Sequence, residues 1–214
     1  MIYWLLSIVV AALAYGFGNL DSIVIASNFV FRKNLKKLGT GNAFISNFRR
    51  VYGWKGAVKL LLVELLLDLL PILIGGWLFG VKGYAVVGRA LAGFCLVMGR
   101  MWPAIYELKG SHALFAMIVA AFGVDVSVGM GVLVVTAAVI ALSRYVSAGM
   151  LGGAFVLLIA ALLVLEERLA TMLCIFIAVL IFVRHIPAIS RMVNGKEEKL
   201  SFEEDIMYKF DEKF

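Results

Sequence analysis

Cysteine and histidine are scarce in this sequence, with two of each among 214 residues. Cys95 and Cys174 lie in separate apolar runs with no Cys or His at metal-ligand spacing. They read as small buried hydrophobes and carry no information about redox compartment. The two histidines are far apart and no carboxylates cluster, so no metal ligand set is expected, and no cofactor is implied. Charge is sparse as well: 16% of residues are charged, 63% are hydrophobic, and the mean hydropathy is +1.00. Soluble domains are close to half apolar. We therefore expect an all-α, polytopic integral membrane protein. The length has room for several spans of about 20 residues each and short loops, but not for a separate soluble domain. A single membrane-embedded domain over 1–214 is the natural organisation. The net charge of +6 would suggest nucleic acid in a soluble protein. Here it reflects basic residues in loops on one side of the bilayer, and nucleic-acid binding is not expected.

The first apolar run, Ile2 to Phe31, lacks a basic n-region and a small-residue cleavage site, and so reads as a retained span. Gly16, Gly18, Asn19 and Asp21 interrupt it. They mark either a break beside a polar cavity or an early end to the span. From Arg32 to Lys59 there are eight basic residues and no acidic one, which makes this loop cytoplasmic and the N-terminus external. A second span is expected over about 57–79, with Glu64 and Asp68 on one helical face. Two carboxylates there call for a basic partner on another helix, with a general acid/base pair as the second option. A third span covers about 84–98. After the loop Gly99–His112, the stretch 113–143 is broken at Gly123-Val-Asp125 and reads as a hairpin whose first helix is short. A sixth helix over 148–165, a turn at Glu166-Glu167-Arg168 and a seventh from Leu169 to Arg184-His185 complete about seven helices. The polar tail after Arg191 is then cytoplasmic.

Gly39-Thr-Gly-Asn-Ala-Phe-Ile-Ser-Asn-Phe-Arg-Arg-Val-Tyr-Gly53 stands out in so apolar a chain. Two close glycines can turn backbone N–H groups toward an anion, Thr40 and Asn42 add short hydrogen-bonding side chains, and Arg49 and Arg50 suit phosphate. Alone, it could equally be a turn with a topogenic basic flank. The expected topology places it on one membrane face with Gly99–His112, Arg144–Ser147 and Arg184–Arg191. Glycines and polar side chains accompanying the basic residues in those loops favour a cytoplasm-facing site for a phosphorylated or otherwise anionic substrate.

On these motifs the sequence resembles the bacterial membrane glycerol-3-phosphate acyltransferases that use acyl-phosphate as donor. Their Gly-Ser-Gly-Asn, Thr-Asn and following Arg correspond to Gly39-Thr40-Gly41-Asn42, Ser46-Asn47 and Arg50. Their Arg-Tyr-Val-Ser is intact at Arg144–Ser147. Their final motif is matched by Arg184, His185, Ile189 and Arg191, trailing into Asn194-Gly195-Lys196-Glu197. The departures are Arg100 in place of a His, Ser111 and His112 within a Lys-Gly-Gly-Lys-Gly loop that keeps Lys109 and Gly110, Ala188 in place of an Asn, and Glu64 and Leu67 in place of an Asp and a Lys.

The resemblance implies seven helices with an external N-terminus, in the cell (plasma) membrane, with the active face cytoplasmic. It also implies acyl transfer from acyl-phosphate to glycerol 3-phosphate, the two small-molecule partners, to form lysophosphatidic acid. Arg50 and Lys109 would neutralise phosphate, while Gly39, Gly41, Asn42, Asn47 and Gly110 would position it and Thr40 would keep the hydroxyl. Ser147 and His185 would orient the acceptor or stabilise developing charge. The alternative is a noncatalytic relative that binds lipid phosphate or another anion.

Overall fold

The computed structural model describes residues 2–20, 22–25, 45–108, 110, 113–197 and 199. Along them run α1 (Ile2–Gly18), the single turn α2 (Ser22–Ile25), α3 (Ile45–Gly80), α4 (Ala85–Met101), a 3-10 turn at Ala104–Tyr106, α5 (Leu114–Val124), α6 (Val126–Ser143), α7 (Val146–Val164) and α8 (Arg168–Val193). Besides α2, the described residues thus form seven helices, as expected. Such a chain has to be helical, because hydrocarbon offers no partner for a backbone N–H or C=O and a helix satisfies both within itself. Four segments, 85–106, 126–143, 146–164 and 168–193, are long and apolar enough to cross a membrane. The expected hairpin is present: α5 is only 11 residues long. Asp125 forms its whole connection to α6 and caps that helix by accepting from the N–H groups of Ser127 at 2.7 Å and Val128 at 3.2 Å.

The chain divides into two compact units, residues 1–20 with 67–200, and residues 21–66 with 201–214. In the second unit, Gly53 interrupts α3 with φ 68° and ψ −173°, a backbone conformation in which a side chain would be strained. In the first unit, α8 shows how the bundle is built. Leu169, Met172, Phe176, Val179, Val183 and Ile186 form an exposed apolar stripe of the kind that faces lipid. Ala170, Cys174, Ile177, Ile181, His185 and Ala188 form the buried stripe. His185 therefore lies in core register, one turn beyond Ile181.

Lipid tails solvate apolar side chains as well as a protein core does, so these helices associate through close packing of small residues. A Cβ at Gly99 would come within 2.5 Å of the Tyr15 carbonyl of α1. One at Gly88 would collide with the Gly75 carbonyl of α3, and one at Gly153 with the Thr136 hydroxyl of α6. Gly88→Leu is expected to destabilise the bundle by about 3 kcal/mol through overpacking, measured as a fall in the thermal unfolding midpoint in detergent. An unchanged midpoint would mean that α3 and α4 can part at no cost.

Two helix ends differ from the sequence reading. The third span does not stop at Met98: α4 carries Gly99, Arg100 and Met101 as helix. The last helix does not stop at His185 but runs through Pro187 to Val193. Pro187 removes only the one hydrogen bond to the Val183 carbonyl, and Ala188 beyond it is buried at 3% exposure. Packing on both sides of the proline keeps the helix going.

Candidate functional site

At the C-terminal end of α4 the chain leaves helix and crosses the bundle in a tethered loop. The Tyr15 hydroxyl of α1 donates to the Trp102 carbonyl at 2.8 Å. Asn19, just past the end of α1, donates through Nδ2 to the Tyr15 carbonyl at 2.7 Å and accepts from Ile105 N–H at 3.4 Å. Within Gly16–Asp21, α1 ends at Gly18, and the polar residue after it grips the loop. Gly110 closes the loop against the end of α4, where a Cβ would run into the Arg100 carbonyl. The Gly110 carbonyl accepts from Arg184 Nη2 of α8 at 3.2 Å.

The backbone here is also strained. Among the described residues, four non-glycines adopt left-handed φ: Glu107 (53°), Leu108 (61°), Ala113 (58°) and Arg144 (62°). The first three bracket Lys109–His112, and the fourth precedes Tyr145-Val-Ser147. Side chains other than Gly and Asn resist this conformation, and where it persists the surroundings enforce it, most often at functional sites.

Arg100 corrects the sequence reading, which placed it among the loop cations. It lies inside α4 at 5% exposure and is committed to the protein interior. Nε and Nη2 donate to Asp68 Oδ1 at 3.1 and 2.6 Å, and Nη1 donates to the Leu20 carbonyl at 2.5 Å. Asp68 itself is fully buried. The carboxylate of the second span thus meets its basic partner in a packed ion pair, and Asp68 is not held as a general acid. One guanidinium joins α3, α4 and the end of α1 at the base of the tethered loop.

The second cluster joins α7 to α8. Ser147 is 2% exposed and lies in the first turn of α7, and its hydroxyl donates to Glu197 Oε1 at 2.5 Å. Arg191 Nε donates to Glu197 Oε2 at 2.6 Å. With its proton taken by the carboxylate, Ser147 Oγ presents lone pairs and can accept a further hydrogen bond. His185 is buried, and its Nδ1 lies 2.8 Å from the Ile181 carbonyl. A carbonyl only accepts, so Nδ1 carries the proton, and in the neutral imidazole Nε2 is the basic nitrogen. The charges of Arg184, Arg191 and Glu197 all act on this ring.

Of the residues expected at the site, Gly110, Ser147 and His185 are brought into this network, Gly110 through Arg184. Gly39, Thr40, Gly41, Asn42 and Lys109 lie outside the described residues, and Asn47 and Arg50 are described as helix backbone only. Glu197, Arg184 and Arg191 were not among the expected site residues, although all three belong to the motif that carried Ser147's neighbour His185. Their signal was a carboxylate and two arginines at fixed distances around one histidine.

Comparison with known proteins bears on the family and the fold. A family model described as "Glycerol-3-phosphate acyltransferase" matches residues 8–195. A glycerol-3-phosphate acyltransferase of Thermoanaerobacter pseudethanolicus is 25% identical over 200 residues, covering 94% of this chain and 98% of that protein. One of Finegoldia magna is 27% identical over 201 residues, covering 92% and 98%. The crystal structure of PlsY (YgiH), an integral membrane glycerol 3-phosphate acyltransferase in its glycerol 3-phosphate form, shares the fold with a TM-score of 0.74 at 22% identity, over 91% of this chain and 96% of that one.

Proposed function

Because the chain belongs to the glycerol-3-phosphate acyltransferase family, we propose that it transfers an acyl group from acyl-phosphate to glycerol 3-phosphate and releases lysophosphatidic acid. The reaction takes place at the cytoplasmic face of the cell membrane. The acceptor hydroxyl oxygen bonds to the acyl carbon, the bond from that carbon to the phosphate oxygen breaks, and the hydroxyl proton leaves with the phosphate or with a protein base. Two anions have to be held together, so positioning and charge neutralisation carry most of the catalysis.

The observation that best supports this reading is the bridge from Ser147 through Glu197 to Arg191, beside His185. Ser147 Oγ, its proton already committed, accepts from the acceptor hydroxyl and aims it. His185, in the same cluster, orients the acceptor or stabilises the developing charge. Arg184 uses one donor on the Gly110 carbonyl and keeps its charge for phosphate. The family resemblance assigns phosphate neutralisation to Arg50 and Lys109, and phosphate positioning to the backbone of Gly39, Gly41 and Gly110 and the side chains of Thr40, Asn42 and Asn47. The acyl chain lies among the apolar helices.

The test is acyl transfer by the purified protein given acyl-phosphate and glycerol 3-phosphate, scored as lysophosphatidic acid formed. Arg50→Ala is expected to lower kcat/KM by roughly 10- to 100-fold, the loss of a charge-assisted phosphate contact. Lysophosphatidic acid formation no greater than without protein would overturn the enzyme reading, and turnover by Arg50→Ala equal to wild type would overturn the role of Arg50. Saturable glycerol 3-phosphate binding without turnover would instead identify an anion-binding relative.

A further inference from the structure

At the other end of α4 the structure holds a cation that the proposed reaction does not use. Arg89 is eleven residues before Arg100, which places it roughly 16 Å away along the helix axis. Its stem lies across α3 at Gly76, where a Cβ would come within 2.6 Å of Arg89 Cγ and 2.9 Å of Cδ. A Cβ at Gly123 of α5 would lie 3.8 Å from Arg89 Cβ. Gly76 therefore leaves a channel for this side chain on α3, and Gly123 of α5 borders it at ordinary contact distance. Its Nε is buried without a hydrogen-bond partner, and no described residue forms an ion pair with its guanidinium. Asp125, the carboxylate at the start of α6, accepts backbone N–H groups as a helix cap.

Two neighbouring aromatics mark the depth. Trp77, next to Gly76, is 71% exposed, and Tyr84, at the start of α4, is 47% exposed. Exposed Trp and Tyr at the ends of apolar helices sit at the level of lipid headgroups. Lys82 stands in the exposed turn between them. An arginine with no carboxylate partner among the described residues, a channel opened by Gly76 and a lysine at headgroup depth suit a phosphate, which a guanidinium binds with two parallel hydrogen bonds.

We propose that Arg89 binds the phosphate of an anionic phospholipid at the end of the bundle opposite the Ser147–His185 cluster. Lys82 adds charge at the rim. The lipid is favoured over free phosphate because the exposed residues flanking the channel, Leu73, Trp77 and Val126, are apolar and face acyl chains.

The experiment follows thermal unfolding of the delipidated full chain in neutral detergent. It compares additions of short-chain phosphatidylglycerol, short-chain phosphatidylcholine and inorganic phosphate for wild type, Arg89→Gln and Arg89→Lys. Phosphatidylglycerol is expected to raise the wild-type midpoint by about 4 °C at saturation. Arg89→Lys should retain part of that rise and Arg89→Gln none. Without lipid, Arg89→Gln should be at least as stable as wild type, because it removes a half-buried cation that no described residue pairs. A rise with inorganic phosphate that needs Arg89 would show that phosphate alone fills the site; a rise with phosphatidylglycerol only would show that the lipid anchors it. Equal responses in wild type and Arg89→Gln, or no wild-type response to any phosphate, would overturn the proposal. If Arg89→Gln does not fold, a response of Arg89→Lys as large as that of wild type to zwitterionic and anionic lipid alike would overturn it too.

Discussion

Asp68→Leu should destabilise the protein by about 3–5 kcal/mol, because it strands the Arg100 guanidinium inside the bundle with only the Leu20 carbonyl to bind. The pair is deep: Asp68 is fully buried and Arg100 is 5% exposed. Moving both charges out of water is costly, and their attraction with the two hydrogen bonds at 2.6 and 3.1 Å offsets that cost only while both are present. Arg100→Met should be nearly as harmful, since it leaves a buried carboxylate. The double variant Asp68→Leu/Arg100→Met should recover much of the loss, because it removes both desolvated charges and leaves the Leu20 carbonyl as the single orphan, worth about 1–3 kcal/mol. Thermal unfolding in detergent reads all three, and the signature is strong non-additivity. If the two single losses simply summed in the double variant, the ion pair would be two independent residues and not one structural unit.

That pair also shows which features a single sequence reveals and which it hides. The helical class, the seven helices and the short arm α5 were legible because a bilayer imposes length and hydropathy on every segment. The ends of α4 and α8 were not. Arg100 and Arg184 look like loop residues in one dimension, yet both are helical and both reach remote partners. Asp68 is 32 residues from Arg100, and the Gly110 carbonyl is 74 residues from Arg184. Glu64 and Asp68 share a helical face, and spacing did not show that Asp68 pairs with Arg100. Asn19 was recognised as an anomaly in an apolar run, but its task, holding Ile105 N–H across 86 residues, was not. The strained backbone at Glu107, Leu108, Ala113 and Arg144 falls on residues with no glycine signal at all. In the site itself, Ser147 and His185 were named from motifs, whereas the carboxylate that links Ser147 to Arg191 follows from the close approach of α7 to the end of α8.

Glu197→Ala should lower acyl transfer by about 100-fold, the scale expected when a reacting group is misplaced by about an ångström. Glu197 is a positioning residue: it fixes the Ser147 hydroxyl from one carboxylate oxygen and Arg191 from the other. Without it, Ser147 can rotate, and its proton is free to point at the acceptor hydroxyl that it is meant to receive. Arg191 loses its partner at the same time and is free to compete for substrate phosphate in the wrong place. Glu197→Gln keeps one acceptor oxygen for Ser147 but turns an amide N–H₂ toward one of the two partners, so its loss should be smaller and fall mainly on kcat. A purely structural glutamate would predict a different pattern, in which activity per folded molecule is preserved and only the unfolding midpoint falls. The decisive comparison is Ser147→Ala in the wild-type and Glu197→Ala backgrounds. If Glu197 works through Ser147, the second substitution adds little to the first. Full additivity of the two losses in kcat/KM would show that Glu197 acts on the reaction by a route that does not pass through the Ser147 hydroxyl.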